Sequence, residues 1–257
     1  MKDDSGAAES EWDNERITVG RNFLRDMESL WAELLKLAAV VEEAIDQSIR
    51  AFCDGRVEVA DELKRRKRAL ERWEIQIERE CVRVLALHQP VASDLRRVAA
   101  ILKINGDLER LNELSRHIAK RVRKLTGEGC IFPIPQALES LAMAALVQLH
   151  SSLDALTQAD VEKARAVIAA DQRIDRDYRA VQKSLKDEII RDPGKIDVWL
   201  RLVNTARNLE RIADHAAKIA ESVIYLKQGH ILRHRGAEPR LGPTSSHSPP
   251  APSTPEW

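Results

Sequence analysis

The chain repeats one apolar pattern along two stretches that lie 101 residues apart. The first pattern consists of Ile101, Ile104, Leu108, Leu111, Ser115, Ile118, Val122 and Leu125. The second consists of Leu202, Thr205, Leu209, Ile212, Ala216, Ile219, Val223 and Leu226. Both patterns alternate steps of three and four residues, the heptad spacing that lines one face of a helix. The sequence therefore predicts two copies of one helical unit, with each apolar seam in its core.

Proline and glycine divide each copy into three helices. Only four of the ten prolines, at positions 90, 133, 135 and 193, precede residue 239. Because proline ends or kinks a helix, the stretches between them predict helices over about 23–52, 57–87, 91–125, 136–156, 159–190 and 197–228. Aromatic residues make up 4% and charged residues 32%, which is typical of helical proteins.

The predicted fold class is therefore all-α, with two tandem three-helix bundles. Their domains are residues 23–128 and 135–228. Residues 1–22 are predicted to be a flexible N-terminus. Residues 229–257 are rich in proline, serine, threonine and glycine, which predicts a disordered tail.

Charge and cysteine content exclude several classes of protein. Lys and Arg number 41 and Asp and Glu also number 41, so the chain lacks the basic surplus expected of a nucleic-acid binder. No apolar run reaches 18 residues, and no secretory signal is recognised, so no transmembrane segment is predicted. Cys53, Cys81 and Cys130 fit neither a disulfide framework nor a zinc site, which indicates a reducing cytoplasm.

Pairs of carboxylates are the candidate functional residues. Glu210 and Asp214 are four residues apart, as are Asp171 and Asp175, and Asp154 lies on the preceding helix. Residues at this spacing share a helix face, and oxygen ligands on neighbouring helices can bind a hard cation. Relative to the seam, Glu210 and Asp214 point away from the core of their unit, so the alternative is that these acids are merely solvated. His215 follows Asp214 and could add a nitrogen ligand.

Three segments resemble the PhoU family. Residues 89–96 (QPVASDLR) and 107–110 (DLER) resemble its first repeat, and residues 208–215 (NLERIADH) resemble its second. The resemblance spans residues 23–234. It implies two three-helix bundles in a cytoplasmic regulator of phosphate uptake and of the phosphate-starvation response. It further implies action between a phosphate ABC transporter ATPase and a sensor histidine kinase, and a homodimer.

The resemblance also implies a metal site in the second repeat. Its members can bind iron or another hard metal, such as manganese or magnesium, through Glu/Asp-x-x-x-Asp pairs. The matching residues are Glu210, Asp214, Asp171, Asp175 and Asp154.

The first repeat departs from this pattern. Arg50 and Lys67 occupy two of the equivalent positions, although Glu109 is kept. Because a fixed cation repels a metal ion, the first repeat is predicted to bind metal poorly or not at all. Arg50 and Lys67 could hold an anion such as phosphate, or form salt bridges to Glu109 or Glu113.

The sequence favours a non-enzymatic regulator of phosphate homeostasis that acts as a negative regulator. It would be cytoplasmic, either free or peripheral at the inner face of the plasma membrane. One alternative is a helical metal-binding or storage protein, but the Glu-x-x-His pairs of that class are absent. The other is a helical interaction module without a ligand. The basic run at residues 64–68 could meet an acidic partner or anionic lipid, or form a solvated helix turn.

Overall fold

A computed structural model describes residues 5–126 and 134–231 of the chain, and side chains over residues 21–125 and 134–231. It contains six α-helices: α1 (Ser5–Asp54), α2 (Glu58–His88), α3 (Ala92–Thr126), α4 (Gln136–Gln158), α5 (Val161–Arg191) and α6 (Ile196–Gln228). A 3-10 turn, Pro193–Lys195, precedes α6. The described residues contain no strand. The prediction of an all-α protein built from two three-helix bundles is therefore confirmed.

The predicted helix ends differ from the observed ones mainly at the start of α1. The sequence predicts that this helix begins near residue 23, whereas it begins at Ser5. Residues 5–22 contain no proline and several alanine, glutamate and arginine residues, which favour a continuous helix. Cys130 and the part of the predicted tail from residue 232 onward lie outside the described residues.

Short connections with defined caps make the helices antiparallel neighbours. The Asp160 side chain accepts hydrogen bonds from the backbone N–H groups of Glu162 and Lys163, which caps the start of α5. Gly229 ends α6 with a φ of 72°, a left-handed conformation that glycine adopts without steric cost. The connections from Gln158 to Val161 and from Arg191 to Ile196 are short, so α4, α5 and α6 lie side by side.

The two apolar seams form the core of the protein. Every seam residue except the last in each pattern is buried, and Leu125 and Leu226 are partly buried. Helices α3 and α6 carry the seams and also pack against each other, while α1 packs against α4. Buried residues of both units thus belong to one continuous core. Over residues 5–126 and 134–231, no helix carries an apolar stretch that would cross a bilayer.

Candidate metal centre

Three carboxylates converge where α5 packs against α6. One oxygen from each of Asp171, Asp175 and Asp214 lies within 4.8 Å of the others. Helix α5 supplies two of them one turn apart, and α6, which runs back along α5 after the Pro193–Lys195 turn, supplies the third. All three side chains are partly buried. The structure therefore brings together three of the five predicted ligands as a compact oxygen donor set.

The cluster holds its negative charge at an energetic cost. Burial, followed by the nearby Asp214 and Asp175 carboxylates, raises the pKa of Asp171, although a hydrogen bond from Gln148 opposes the shift. Burial also raises the pKa of Asp214, with Asp175 adding to the effect and Lys218 opposing it. Carboxylates that repel one another in a partly buried site are stabilised by a bound cation.

Glu210 lies beside this cluster, one helical turn before Asp214. Burial, and then the Asp214 and Asp175 carboxylates, raise the pKa of Glu210. Glu210 also raises the pKa of the Tyr178 hydroxyl, after the larger effect of burial. The sequence register predicts that Glu210 and Asp214 point away from the core, and both lie half-buried at the α5–α6 edge.

Gln148 on α4 completes the surroundings of the cluster. Its Nε2 donates hydrogen bonds to Asp171 Oδ1 at 3.0 Å and to the Ala213 carbonyl oxygen at 3.4 Å. Its Oε1 is buried and accepts no hydrogen bond from the described residues. Gln148 thus contacts the cluster through its amide nitrogen, and this hydrogen bond favours the charged form of Asp171. Sequence spacing gives no signal for Gln148, because a lone glutamine on a helix matches no ligand pattern.

Asp154 lies away from the cluster, contrary to the prediction. Because α4 and α5 are antiparallel and Gln148 lies opposite Asp171, Asp154 falls about two turns further along, opposite Lys163. There its Oδ2 is 3.3 Å from Lys163 Nζ. Asp154 is therefore an ion-pair partner in this structure and does not join the three clustered carboxylates.

The suggested nitrogen ligand His215 is also directed elsewhere. Its Nδ1 is 2.8 Å from Asp107 Oδ1, and His215 is buried between α6 and α3. Consecutive helical residues differ by about 100° in direction, so a residue next to Asp214 faces a different helix. His215 therefore joins the two units and does not point at the carboxylates.

Arg50 and Lys67 each pair with an acid on their own helix. Arg50 Nε donates to both carboxylate oxygens of Asp46, at 2.9 and 2.8 Å, and Lys67 Nζ is 3.4 Å from Glu71. Glu113 is 2.9 Å from Arg110. The predicted salt bridges to Glu109 or Glu113 are therefore wrong, because acidic partners one turn away are closer.

The first repeat has no counterpart of the carboxylate cluster among its described residues. Among the side chains described over residues 23–125, Glu74 is the one buried acid, at 6% exposed. Asn112 Nδ2 donates to Glu74 Oε1 at 3.0 Å, and Asn105 Nδ2 donates to the Glu74 carbonyl oxygen at 3.0 Å. Burial raises the pKa of Glu74. The positions equivalent to Asp171 and Asp175 hold Lys67 and Glu71, which pair with each other at 3.4 Å, so the first repeat has an ion pair where the second has two acids.

Two fused three-helix units, one of which carries a half-buried carboxylate cluster, define a class of duplicated helical-bundle proteins. The PhoU domain family matches the chain twice, over residues 34–122 and 138–223, one match in each unit. The chain belongs to the PhoU family.

Relatives match almost the whole of this organisation. A "Phosphate-specific transport system accessory protein PhoU homolog" of Pseudomonas aeruginosa is 33% identical over 221 residues, covering 85% of this chain and 90% of the relative. A homologue of the same name from Aquifex aeolicus is 34% identical over 215 residues, covering 83% and 96%.

Solved structures agree with the fold. The crystal structure of PhoU from Pseudomonas aeruginosa aligns with a TM-score of 0.77 and 32% identity, covering 81% of this chain and all of that chain. The phosphate transport system regulatory protein PhoU from Streptococcus pneumoniae aligns with a TM-score of 0.74 and 28% identity, covering 82% and 99%. The fold is therefore shared along the full length of these proteins.

Proposed function

We propose that this protein is an accessory regulator of phosphate transport that restrains phosphate uptake and the phosphate-starvation response when phosphate is abundant. The observation that carries the proposal is the match of both repeats to proteins named as phosphate-specific transport accessory proteins. The protein acts by binding and not by catalysis.

The partners follow from the same proposal. They are the ATPase subunit of a phosphate ABC transporter and a sensor histidine kinase, both approached from the cytoplasmic side of the membrane. The protein acts there as a homodimer, either in the cytoplasm or at the inner face of the plasma membrane. Its long α1 and the exposed apolar residues Leu87, Val91 and Leu95 near the α2–α3 junction supply surface for such contacts.

Deletion of the gene in the host tests this function. At high external phosphate, the deletion strain is expected to take up phosphate faster than the parent and to express starvation-response genes that the parent represses. Uptake of labelled phosphate and a transcriptional reporter measure the two effects. A deletion strain with unchanged uptake and unchanged reporter activity would favour a helical interaction module of another pathway.

The second repeat contributes to this function through a bound metal. Asp171, Asp175 and Asp214, with Glu210 beside them, provide oxygen ligands only. All-oxygen donor sets suit magnesium, manganese or ferric iron. The ion neutralises the repelling carboxylates and fixes α5 against α6. The alternative, a metal-storage protein, would bind many ions. This cluster of three carboxylates has ligands for very few.

Metal content measures this step directly. We expect manganese or iron to bind the parent protein and to be lost from a Glu210→Gln, Asp214→Asn double variant, because two adjoining carboxylates are neutralised. Elemental mass spectrometry of proteins purified without chelator or affinity-tag metal gives the number of metal ions per protein chain. The matched control is Glu109→Gln, Glu113→Gln, the equivalent pair in the first repeat, which should keep the parent's metal content. Metal that persists in the second-repeat variant would contradict the site.

A further inference from the structure

The contact between α3 and α6 leads to a second site, on a different side of α6. Asp107 bonds to His215, and Lys103 Nζ lies 4.1 Å from the ring centroid of Tyr225, so these two α3 residues face α6. His117 and Arg121 follow Lys103 and Asp107 by two heptads each, and therefore lie on the same face of α3. Because the helices are antiparallel, they face the N-terminal half of α6.

Arg121 carries a guanidinium that nothing in the described protein neutralises. Its Nη1 is buried and donates no hydrogen bond. Burial lowers the pKa of Arg121, and no acidic neighbour offsets that shift. A partly buried charge without an acidic neighbour is stabilised when an anion pairs with it. Arg121 Nη1 therefore offers a positive charge and a donor to an anionic ligand.

The surroundings of Arg121 are also rich in donors. Burial, and next the Arg121 guanidinium, lower the pKa of His117, and Arg116 and Arg211 act in the same direction, opposed by Glu113. His117 and Arg211 are exposed, so they lie on the solvent side of Arg121 at the edge of the α3–α6 interface.

A neutral donor lies on the same face of α6. Asn208 precedes His215 by one heptad and therefore also faces α3. It is 5% exposed, and its Nδ2 donates no hydrogen bond among the described residues. Two buried donors, Arg121 Nη1 and Asn208 Nδ2, thus lie on facing sides of one interface, and both need an acceptor.

We propose that this interface binds an oxyanion of the phosphate class, with Arg121 as its main donor and His117, Arg211 and Asn208 around it. A tetrahedral oxyanion presents several acceptors and a negative charge, and arginine pairs with phosphate through two parallel N–H···O bonds. Arg211 also acts on Asp214, whose pKa it lowers. The oxyanion site and the carboxylate cluster therefore lie on neighbouring sides of α6, with Arg211 near both.

Calorimetric titration of the full-length protein with inorganic phosphate tests the site. EDTA removes bound metal, so that phosphate cannot bind through the carboxylate cluster, and chloride keeps the ionic strength constant. Replacing Arg121 by Gln is expected to weaken binding at least about tenfold, as loss of a charge-assisted hydrogen bond does. The matched control is Arg123→Gln, the same change in charge two residues along α3, where Arg123 pairs with Asp61 at 3.0 Å. The control should stay within about twofold of the parent.

Two further titrations identify the ligand and exclude misfolding as the cause of lost binding. Titration with ATP distinguishes a phosphate ester from inorganic phosphate, and binding of either one that depends on Arg121 supports the site. His117→Gln alters an exposed rim residue and is expected to weaken binding several-fold without affecting folding. Equal binding by the parent and the Arg121 variant would overturn the proposal, as would an equal loss in the Arg123 control or no binding of either ligand. The titration uses purified protein, so its failure is distinct from failure of the proposed regulatory function in the deletion strain.

Discussion

Replacing Leu209 by Ala is expected to lower the free energy of unfolding by about 2–5 kcal/mol, the usual cost of emptying a fully buried leucine site. Leu209 is 0% exposed and lies in the middle of the α6 seam. The loss combines the removed apolar contacts with the cavity that the rigid helices leave behind. Urea denaturation followed by circular dichroism measures it. Val147→Ala serves as the control, because Val147 is 61% exposed, and it should change the free energy by no more than about 0.5 kcal/mol.

The equivalent position in the first repeat gives a second test of this prediction. Leu108 occupies the equivalent place in the first repeat and is also 0% exposed, so Leu108→Ala should cost a similar amount. Since α3 and α6 pack together in one continuous core, each variant should shift a single transition of the whole protein. A variant that melts one half while the other half keeps its midpoint would show that the two units fold independently.

The heptad seams explain why so much of the fold is predictable from the sequence. A repeated three-four spacing specifies a helix and its buried face at once, and Pro90, Pro135 and Pro193 mark the breaks. Five of the six helices therefore begin and end within two residues of the predicted positions. The start of α1 is the exception, because residues 5–22 lack the heptad seam although they can form a helix.

The candidate site is less predictable, because it depends on the register between helices. The i, i+4 pair Asp171 and Asp175 and the position of Asp214 follow from spacing within helices α5 and α6. Whether α4 contributes Asp154 or Gln148 depends on the axial offset between α4 and α5. The spacing of residues within one helix gives no information about that offset. The structure places Gln148 beside Asp171 and pairs Asp154 with Lys163.

The same limit applies to the pairing of charged groups. The presence of Arg50 and Lys67 in place of carboxylates is plain in the sequence, and it removes the acidic cluster from the first repeat. Their partners are Asp46 and Glu71, because a long side chain reaches an acid one turn away with less loss of entropy than one on another helix. Nor could spacing show that Arg121 lacks a partner, since that depends on what α6 presents opposite to it.

Neutralising the carboxylate cluster is expected to stabilise the metal-free protein. Asp214→Asn removes one of three neighbouring acids, and burial, followed by the Asp175 carboxylate, raises the pKa of Asp214. At about pH 7 the gain should be on the order of 1 kcal/mol or less, and the melting temperature should rise by about 2–4 °C at most. Scanning calorimetry in EDTA measures it. The control is Asp177→Asn on α5, because Asp177 lies 3.9 Å from Arg173 outside the cluster, and the melting temperature should stay constant or fall slightly.

The pH dependence separates this explanation from a general effect of the substitution. Because folding raises the pKa of Asp214, the folded state binds more protons than the unfolded state at pH values between the unfolded and folded pKa. Stability of the metal-free parent therefore falls as the pH rises through that interval, and the cost is complete above the folded pKa. The advantage of Asp214→Asn should accordingly be largest near neutral pH and shrink as the pH falls toward about 4. An advantage that stays constant over this range would mean that packing, and not charge repulsion, distinguishes the variant. Added manganese should reverse the ranking. It stabilises the parent by an amount that grows with the logarithm of its concentration above the Kd, and it finds one ligand fewer in the variant.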